Sequence, residues 1–313
     1  MTLAYITQDN YSLTEVKTAI ERGIGLLGGF QDILGGRKSI LLKPNFVRVD
    51  TAESGAITHP DFILAVAELL LDQGCTVSVG DSPGFGSLLA CVKRLGLEKE
   101  FKKRGISLCP FKRSEEIPGI PDGKTKVEKI FSRLIIAREL KKFDGIINLP
   151  KMKTHCQLGF SGATKNLYGC VPGKRKAWRH LASGNDEKAF AKMIIRTAEA
   201  VSPFFHIADG IESLHVRGPT KGVPFPLNSI FLGKNAYAID WLFCQLTHFD
   251  PMQSQLFQVL GKQPAIEIVG DQPVYHTTFI HSKRIPVSFD PVRVARSMLT
   301  HQFVLLRERI LRR

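Results

Sequence analysis

The segment from residue 150 to residue 180, PKMKTHCQLGFSGATKNLYGCVPGKRKAWRH, concentrates residue types that could do chemistry. It contains two histidines, seven lysines or arginines and four glycines. His155 lies ten residues before Lys165, and His180 lies fifteen residues after it. Imidazoles move protons near neutral pH, ammonium groups bind anions, and glycines let a backbone approach a ligand closely. The segment therefore predicts a pocket for an anionic substrate or a cofactor.

Each of these side chains has a role in this hypothesis. We assign His155 as a general acid–base, Lys165 as an anion binder or covalent anchor, and His180 as a second base or a metal ligand. A helix that begins near Ala163 would direct its free amide groups at an anion. The alternative is a glycine-rich connection that carries solvated cations.

Polar residues also lie where other predicted elements begin or end. Lys43 and Asn45 follow the apolar run SILL, and Asp81 ends the predicted strand CTVSVGD. His59 lies in THPD beside a helix start, which favours a neutral imidazole. Ligands of open α/β sheets bind beyond the carboxyl ends of the strands, so these side chains are expected to line one pocket. Ordinary turns, and a helix capped by Thr58 or Asp61, are the alternative.

Two sets of site residues follow from these patterns. The predicted catalytic residues are His59, His155, Lys165 and His180. The predicted substrate-binding residues are Lys43, Asn45, Asp81, Lys153, Ser161, Asn166, Arg175 and Asp209. The cations would complement a substrate anion, most strongly in a dry pocket. Asp209 would orient His155 or His180, or bind a cation.

The elements that must position these residues alternate between strands and helices. Apolar runs such as DGIINLP indicate buried strands, and FILAVAELLLDQG has helical periodicity. LLACVKRLGLEKEFKKRG is expected to form one helix, and LIIARELKKFDG to contain another. Units of this kind imply right-handed crossovers and a mostly parallel sheet flanked by helices, which is an α/β fold. Residues 1–285 would form this domain, with a lobe boundary considered near residue 150, and residues 286–313 a basic amphipathic C-terminal helix.

Composition narrows the class of protein. With 43% apolar residues in 313, the chain has enough apolar side chains for a sizeable core. The sequence has no run of about eighteen apolar residues and no secretory signal, so we expect a cytoplasmic protein. The six cysteines form no C-x-x-C pair, which argues against a zinc ribbon or a ferredoxin-type cluster. The net charge of +14 is spread over several clusters, which argues against nucleic acid as a partner.

The ordered set LLKPN, THP, GDSP, LPKMKTH, FSGATKNLYG, DGIES, GPTKG and AYAID resembles an uncharacterised family, domain of unknown function 362. The resemblance covers roughly residues 3–285. Many members of that family carry a C-terminal ferredoxin module with iron–sulfur clusters. This chain departs from them, because its C-terminal segment is basic and lacks the cluster cysteines.

The order of His155, FSGATK and His180 is also similar to that of the nickel-pincer lactate racemase family. In that family a glycine-rich segment carries a lysine that holds a pyridinium cofactor, and a later histidine ligates nickel. The resemblance implies that Lys165 is the tether, His155 a proton-transfer base and His180 a metal ligand. His59 loosely matches the family's other catalytic histidine, and Ala163 replaces a family glycine.

These observations predict an enzyme that acts on a small anionic, carboxylate-type substrate by histidine acid–base chemistry. It would be a racemase, an isomerase or an oxidoreductase, assisted by a metal such as nickel or iron or by a cofactor tethered to Lys165. One alternative is an iron–sulfur or other metal-linked redox protein that works with a partner. Another is a basic module that binds nucleic acid or a membrane surface through residues 293–313. The C-terminal helix would dock a redox partner or a second copy of the chain.

Overall fold

The computed structural model describes residues 1–173 and 175–287. These ranges contain strands β1 Thr2–Thr7, β2 Ser39–Pro44, β3 Thr76–Asp81, β4 Ser107–Pro110, β5 Ser114–Pro118, β6 Arg133–Ala137, β7 Gly145–Leu149, β8 Lys151–His155, β9 Gly159–Ser161, β10 Phe205–His215, β11 Val223–Gly233 and β12 Glu267–Gly270. They also contain helices α1 Leu13–Leu26, α2 Gly29–Leu34, α3 Pro60–Asp72, α4 Leu88–Arg94, α5 Leu97–Arg104, α6 Lys126–Ile130, α7 Ala163–Asn166, α8 Arg175–Ala182, α9 Glu187–Val201, α10 Ala236–Leu246 and α11 Gln255–Leu260.

Ten of the strands form one sheet, which runs in the order β12-β1-β11-β10-β7-β2-β3-β4. Strand β8 pairs with β10, and β9 pairs with β8. The pairs β12–β1, β10–β7, β10–β8, β7–β2, β2–β3 and β3–β4 are parallel. Only the pairs that involve β11 or β9 are antiparallel within the described part of this sheet. The predicted α/β fold with a mostly parallel sheet and flanking helices is confirmed.

Helices cover both faces of the sheet. Alternate residues of β1 show this, because Ala4 and Ile6 pack with the helices α1 and α3, whereas Leu3 and Tyr5 pack with α9 and α10. Successive side chains of a strand point to opposite faces, so the two apolar clusters lie on opposite sides of the sheet. The edge of the sheet, rather than either face, is left for polar side chains.

Three local predictions are wrong, and each has a physical reason. The expected helix over residues 88–105 is two helices, because Gly96 takes a left-handed φ of 71° between them. The expected helix in LIIARELKKFDG is the strand β6, which forms a hairpin with β5, followed by a 3-10 turn at Arg138–Lys142. Helix α3 is capped by His59 instead of Asp61, since the His59 ring accepts the amide hydrogen of Asp61.

The sheet draws strands from both sides of residue 150, because β1 lies next to β11 and β7 next to β10. The division of the chain into domains stays a prediction. So does the C-terminal helix predicted for residues 286–313, which lies outside the described residues beyond Val287. Among the helices that the structure describes, none combines the length and apolar character needed to cross a bilayer.

Candidate functional site

The candidate site lies at the carboxyl edge of the central parallel strands. Lys43 near the end of β2, Asp81 at the end of β3 and Asn148 near the end of β7 are all buried there. Parallel strands present their carboxyl ends at the same edge, so these three polar side chains share it. This is the edge at which the sequence places the pocket.

Strand β8 brings a row of basic side chains to this edge. Lys151, Lys153 and His155 alternate along it, which puts all three on one side of the strand. Each is buried, with 1%, 1% and 3% of its surface exposed. The alternative of a glycine-rich connection with solvated cations does not apply to KMKTH, which is a buried strand.

The first lysine of the edge, Lys43, is held by an ion pair in the interior. Its Nζ lies 3.1 Å from Asp81 Oδ1 and 2.6 Å from the Pro44 carbonyl oxygen. The Asp81 carboxylate also accepts the amide hydrogens of Phe46 at 2.9 Å and Ser82 at 2.7 Å. Because the carboxylate has several donors, this buried pair satisfies its own hydrogen-bonding capacity.

Three asparagine side chains join this ion pair to β8. Asn166 Oδ1 accepts from Asn45 Nδ2 at 2.9 Å, and Asn166 Nδ2 donates to Asn148 Oδ1 at 2.8 Å. Asn45 Oδ1 then accepts from Lys153 Nζ at 2.9 Å. Lys43 Nζ also lies 3.5 Å from Asn166 Oδ1. The amide network therefore fixes the orientation of the groups between Lys43 and Lys153.

The far end of the row contains Lys151, Asp209, Tyr11 and His59. Lys151 Nζ lies 2.9 Å from Asp209 Oδ2 and 2.6 Å from the Tyr11 hydroxyl, which donates to Asp209 Oδ1 at 2.7 Å. The His59 ring stacks on Tyr11 with centroids 3.7 Å apart. Burial lowers the pKa of His59 to about 4, so the imidazole is neutral at pH 7.

Lys153 lies between these two ion pairs without a carboxylate partner among the described residues. Its Nζ donates to Asn45 Oδ1 and to the Ala56 carbonyl oxygen. Burial, and then the nearby ammonium groups of Lys165 and Lys151, hold its pKa well below the ordinary value. The site is therefore electropositive at this point.

Lys165 and two histidines complete the row beyond Lys153. Burial lowers the pKa of the half-buried Lys165 to about 8. Burial, followed by the charge of Lys165, lowers the pKa of His155 well below its usual value and that of His180 to about 3. The charge of Lys165 therefore acts on both imidazoles, and the joint catalytic role of the three side chains stays a prediction. In the described ranges, Lys165 Nζ has no hydrogen-bond or ion-pair partner.

Helix α7 positions Lys165. The predicted start of a helix near Ala163 is confirmed. The Asp240 carboxylate accepts the amide hydrogens of Ala163 at 2.6 Å and Thr164 at 3.0 Å, so these amides are occupied instead of free for a substrate anion. Burial raises the pKa of Asp240 to about 6, and Gly162 leaves the space for it, since a Cβ there would lie 2.1 Å from Asp240 Oδ1.

Several predicted site residues lie elsewhere or act differently. Asp209 contacts Lys151 instead of His155 or His180, because the parallel register of β10 places it opposite Lys151. Ser161 lies opposite Lys153 in the β8–β9 pair. Arg175 is exposed at the start of α8. Their roles toward a substrate stay predictions.

Other residues of the site were not identified from the sequence. They are Tyr11, Ser82, Asn148, Lys151 and Lys176. Lys176 Nζ donates to the carbonyl oxygens of Ser82 and Val171, both at 2.7 Å, and to Ser82 Oγ at 3.1 Å. The alternation of KMKTH was the signal for Lys151, whereas Tyr11 has no sequence signal because it reaches Asp209 from 198 positions away.

A metal fits the described residues poorly. No group of three histidine, cysteine, aspartate or glutamate side chains in residues 1–173 and 175–287 could hold a metal ion. Metal sites built from protein ligands use three or four such donors. The assignment of His180 as a metal ligand stays a prediction.

The chain belongs to the family described as "Domain of unknown function (DUF362)", whose model matches residues 40–245. One relative is the "Thylakoid-associated protein sll1697" of Synechocystis sp. (strain ATCC 27184 / PCC 6803 / Kazusa). The two are 30% identical over 304 residues, which cover 93% of this chain and 90% of the relative. The family assignment made from the sequence is confirmed.

Among solved structures, the chain is similar to the lactate racemase apoprotein from Thermoanaerobacterium thermosaccharolyticum. The sequence identity is 18% and the TM-score is 0.45. The similarity covers 74% of this chain and 53% of that one, so the chain spans about half the length of the racemase.

Replacing Lys43 by methionine should destabilise the fold strongly, because the Asp81 carboxylate would remain buried without its cation. We expect the free energy of unfolding to fall by about 3–5 kcal/mol, measured by urea denaturation. Lys17→Met is the matched control, since Lys17 pairs with Glu68 at the surface, where 27% and 21% of the side chains are exposed. The control should lose about 1 kcal/mol or less. Equal losses in the two variants would show that the buried Lys43–Asp81 ion pair matters no more for stability than an ion pair at the surface.

Lys165 should contribute a rise in the free energy of unfolding between about pH 8 and pH 10.5. In this window the unfolded chain still binds the proton of Lys165, because an exposed lysine has an ordinary pKa of 10.5, while the folded protein has released it at about 8. The free energy of unfolding rises wherever the unfolded state binds more protons. Lys165→Met should therefore be more stable than the wild type at pH 7 and show a smaller rise.

Part of the rise should persist in Lys165→Met, because the pKa of Lys176 is also lowered to about 8. Lys129→Met, which removes an exposed lysine, should reproduce the wild-type curve. Identical pH profiles for the wild type and Lys165→Met would contradict the burial of the Lys165 ammonium group.

Proposed function

We propose that the chain is an enzyme that binds a small carboxylate-type anion and moves a proton on it, as a racemase, isomerase or oxidoreductase does. The observation that supports this proposal is a pair of cations, Lys153 and Lys165, that have no carboxylate partner among the described residues. They lie beside the neutral imidazole of His155. Buried cations without counter-ions are costly, so an incoming anion would be stabilised there.

The hydrogen-bond donors of the lysines distinguish binding groups from structural ones. An ammonium group has three N–H donors. Those of Lys43 and Lys176 each have three protein acceptors, and Lys151 is held by Asp209 and Tyr11. Lys153 uses two donors, and Lys165 uses none within the described ranges. The substrate carboxylate would therefore bind to the remaining donor of Lys153, with Lys165 beside it.

The tautomer of His155 determines which of its ring nitrogens can donate a hydrogen bond to the substrate. Its Nδ1 accepts the amide hydrogen of Gln157 at 3.1 Å, so the neutral ring carries its own proton on Nε2. In this tautomer the ring donates a hydrogen bond and cannot accept a proton at Nε2. His155 would stabilise the negative charge that develops on a substrate oxygen, with help from Lys153.

The base would then be Lys165. With a pKa of about 8, a substantial fraction of its side chains are neutral amines at slightly alkaline pH. The amine would remove a proton from the carbon next to the substrate carboxylate. The ammonium group formed on Lys165 would return the proton to the substrate, while His180, whose ring packs on Phe190 with centroids 4.5 Å apart, stays neutral. Return of the proton to a neighbouring atom would isomerise the substrate.

Proton exchange tests this proposal directly. The protein would be incubated in D2O with a panel of 2-hydroxy, 2-oxo and 2-amino carboxylates, and loss of the proton next to the carboxylate followed by NMR. At least one compound should exchange, and Lys165→Met should slow its exchange by about a hundredfold or more. Lys153→Met should weaken the binding of that compound, because a charge-assisted hydrogen bond is lost.

The controls separate the site from nonspecific effects. Lys129→Met removes an exposed lysine, and His248→Asn replaces an exposed histidine with a residue that tolerates its φ of 52°. Both should exchange protons at the wild-type rate. Exchange that survives in Lys165→Met would overturn the role of this lysine as the base.

A second candidate function is association with a membrane surface. The curated relative is described as thylakoid-associated, and helix α8 of this chain exposes apolar side chains. Trp178 is 51% exposed and Leu181 41% exposed. Arg175 lies three positions before Trp178, so all three share one face of the helix. Tryptophan with nearby cations is typical of side chains that enter the interface of an anionic bilayer.

Replacing Trp178 and Leu181 together by serine should reduce co-sedimentation with vesicles that contain anionic phospholipids. The control is the double replacement of Val274 and Tyr275 by serine, which removes apolar side chains that are 45% and 60% exposed. The control should bind vesicles like the wild type. Equal reduction in both variants, or no binding by the wild type, would exclude helix α8 as the membrane contact.

A further inference from the structure

The fold brings the amine of Lys165 to the edge of the site, where small molecules can reach it. Ser161 of β9 lies opposite Lys153 of β8, and helix α7 begins at Ala163, shortly after β9 ends. The Asp240 carboxylate holds the first amides of α7, so the backbone that carries Lys165 is fixed beside β8. Lys165 itself is half-buried, and its Nζ is not among the fully enclosed polar atoms that lack a partner.

Lys165 differs from the other lysines of the site because its nitrogen is not engaged by the protein. The ammonium groups of Lys43, Lys151 and Lys176 are bound to protein oxygens. Lys165 Nζ has no hydrogen-bond or ion-pair partner in the part of the chain that the structure describes. Burial lowers its pKa to about 8, although the nearby thiol of Cys156 acts in the opposite direction. A neutral lysine amine has a lone pair that attacks electrophilic carbon.

The groups beside this amine favour a negative charge at its position. Lys153 Nζ donates to two oxygen atoms and keeps a third N–H group. His155 carries its proton on Nε2, because its Nδ1 accepts the amide hydrogen of Gln157. The positive charge of Lys165 lowers the pKa of both groups. A negative charge in its place would have the opposite effect and would meet two N–H donors.

We propose that Lys165 reacts reversibly with dissolved carbon dioxide to form a carbamate. The lone pair of the neutral Nζ attacks the carbon atom of CO2 and forms a C–N bond, while one π-electron pair of a C=O bond moves onto oxygen. The nitrogen then loses one proton to water. The side chain thus becomes an anion, and its carboxylate oxygens would accept hydrogen bonds from Lys153 Nζ and His155 Nε2.

This modification would regulate the proposed enzyme, and that consequence alone rests on the proposed function. A nitrogen bound in a carbamate has no basic lone pair with which to remove a proton from a substrate. The carbamate would also occupy the donor of Lys153 that is left for the substrate carboxylate. Bicarbonate, which is in equilibrium with CO2, should therefore slow proton exchange, and a bound carboxylate should lower the amount of carbamate.

The test is carbon NMR of the full chain in isotopically labelled bicarbonate near pH 8, where about half of the Lys165 side chains are neutral amines. The wild type should give a carbamate signal that Lys165→Met lacks. Lys153→Met should reduce the amount of carbamate by about tenfold, because a charge-assisted hydrogen bond to the carbamate is lost. Alkylation of the carbamate, followed by mass spectrometry of peptides, should locate it on Lys165.

Two controls separate this carbamate from others. The α-amino group of Met1 can also react with CO2, because such a group has an ordinary pKa of about 8, so its signal should remain in every variant. Lys129→Met, which removes an exposed lysine, should leave the spectrum unchanged. Identical spectra for the wild type and Lys165→Met would overturn the proposal. So would carbamates spread evenly over the exposed lysines.

The proton-exchange assay is an independent measurement. A carbamate on Lys165 without proton exchange on any carboxylate would contradict the proposed enzyme and support the modification. Proton exchange without a carbamate signal would support the enzyme and overturn the modification. If the carbamate signal saturates while proton exchange stays at its full rate, the regulatory consequence is wrong.

Discussion

The burial of lysine ammonium groups at one edge of the sheet is the constraint on which the site depends. An ammonium group removed from water must find acceptors, and a buried charge needs a partner of opposite sign. Lys43 finds Asp81 and Lys151 finds Asp209, so two ion pairs border the row. The asparagines between them are neutral, which leaves Lys153 with oxygen acceptors but no counter-ion among the described residues. The positive potential of the site follows from this arrangement.

Much of the fold could be predicted from the sequence because apolar periodicity sets it. The strand that ends near Lys43, the helix that begins near Ala163 and the mostly parallel order all follow from local patterns. The errors arise where tertiary pairing decides the structure. Residues 133–137 have mixed propensity and become a strand because they pair with β5. Gly96 interrupts a pattern that is otherwise helical, and only its left-handed φ shows that the helix ends there.

Some members of the candidate site were predictable from the sequence, but their pairings were not. Residue types at strand ends identified Lys43, Asp81 and Lys153, since polar groups after buried runs need partners. The partner of each side chain depends on the register of strand pairing. A single sequence does not show that register. Asp209 is the clearest case, because a parallel register with β8 directs it to Lys151 and away from the histidines. Tyr11 is a similar case, because the fold places it next to Asp209 although the two residues are far apart in the sequence.

The unpaired cations favour a ligand over a purely structural role. A protein selected only for stability would replace Lys165 by an apolar residue of similar length, since its ammonium group has lost hydration without gaining an acceptor in the described ranges. The same loss of hydration lowers the pKa values of Lys165 and His155. An anion bound beside them would reverse it, because a negative charge raises the pKa of both groups toward their ordinary values.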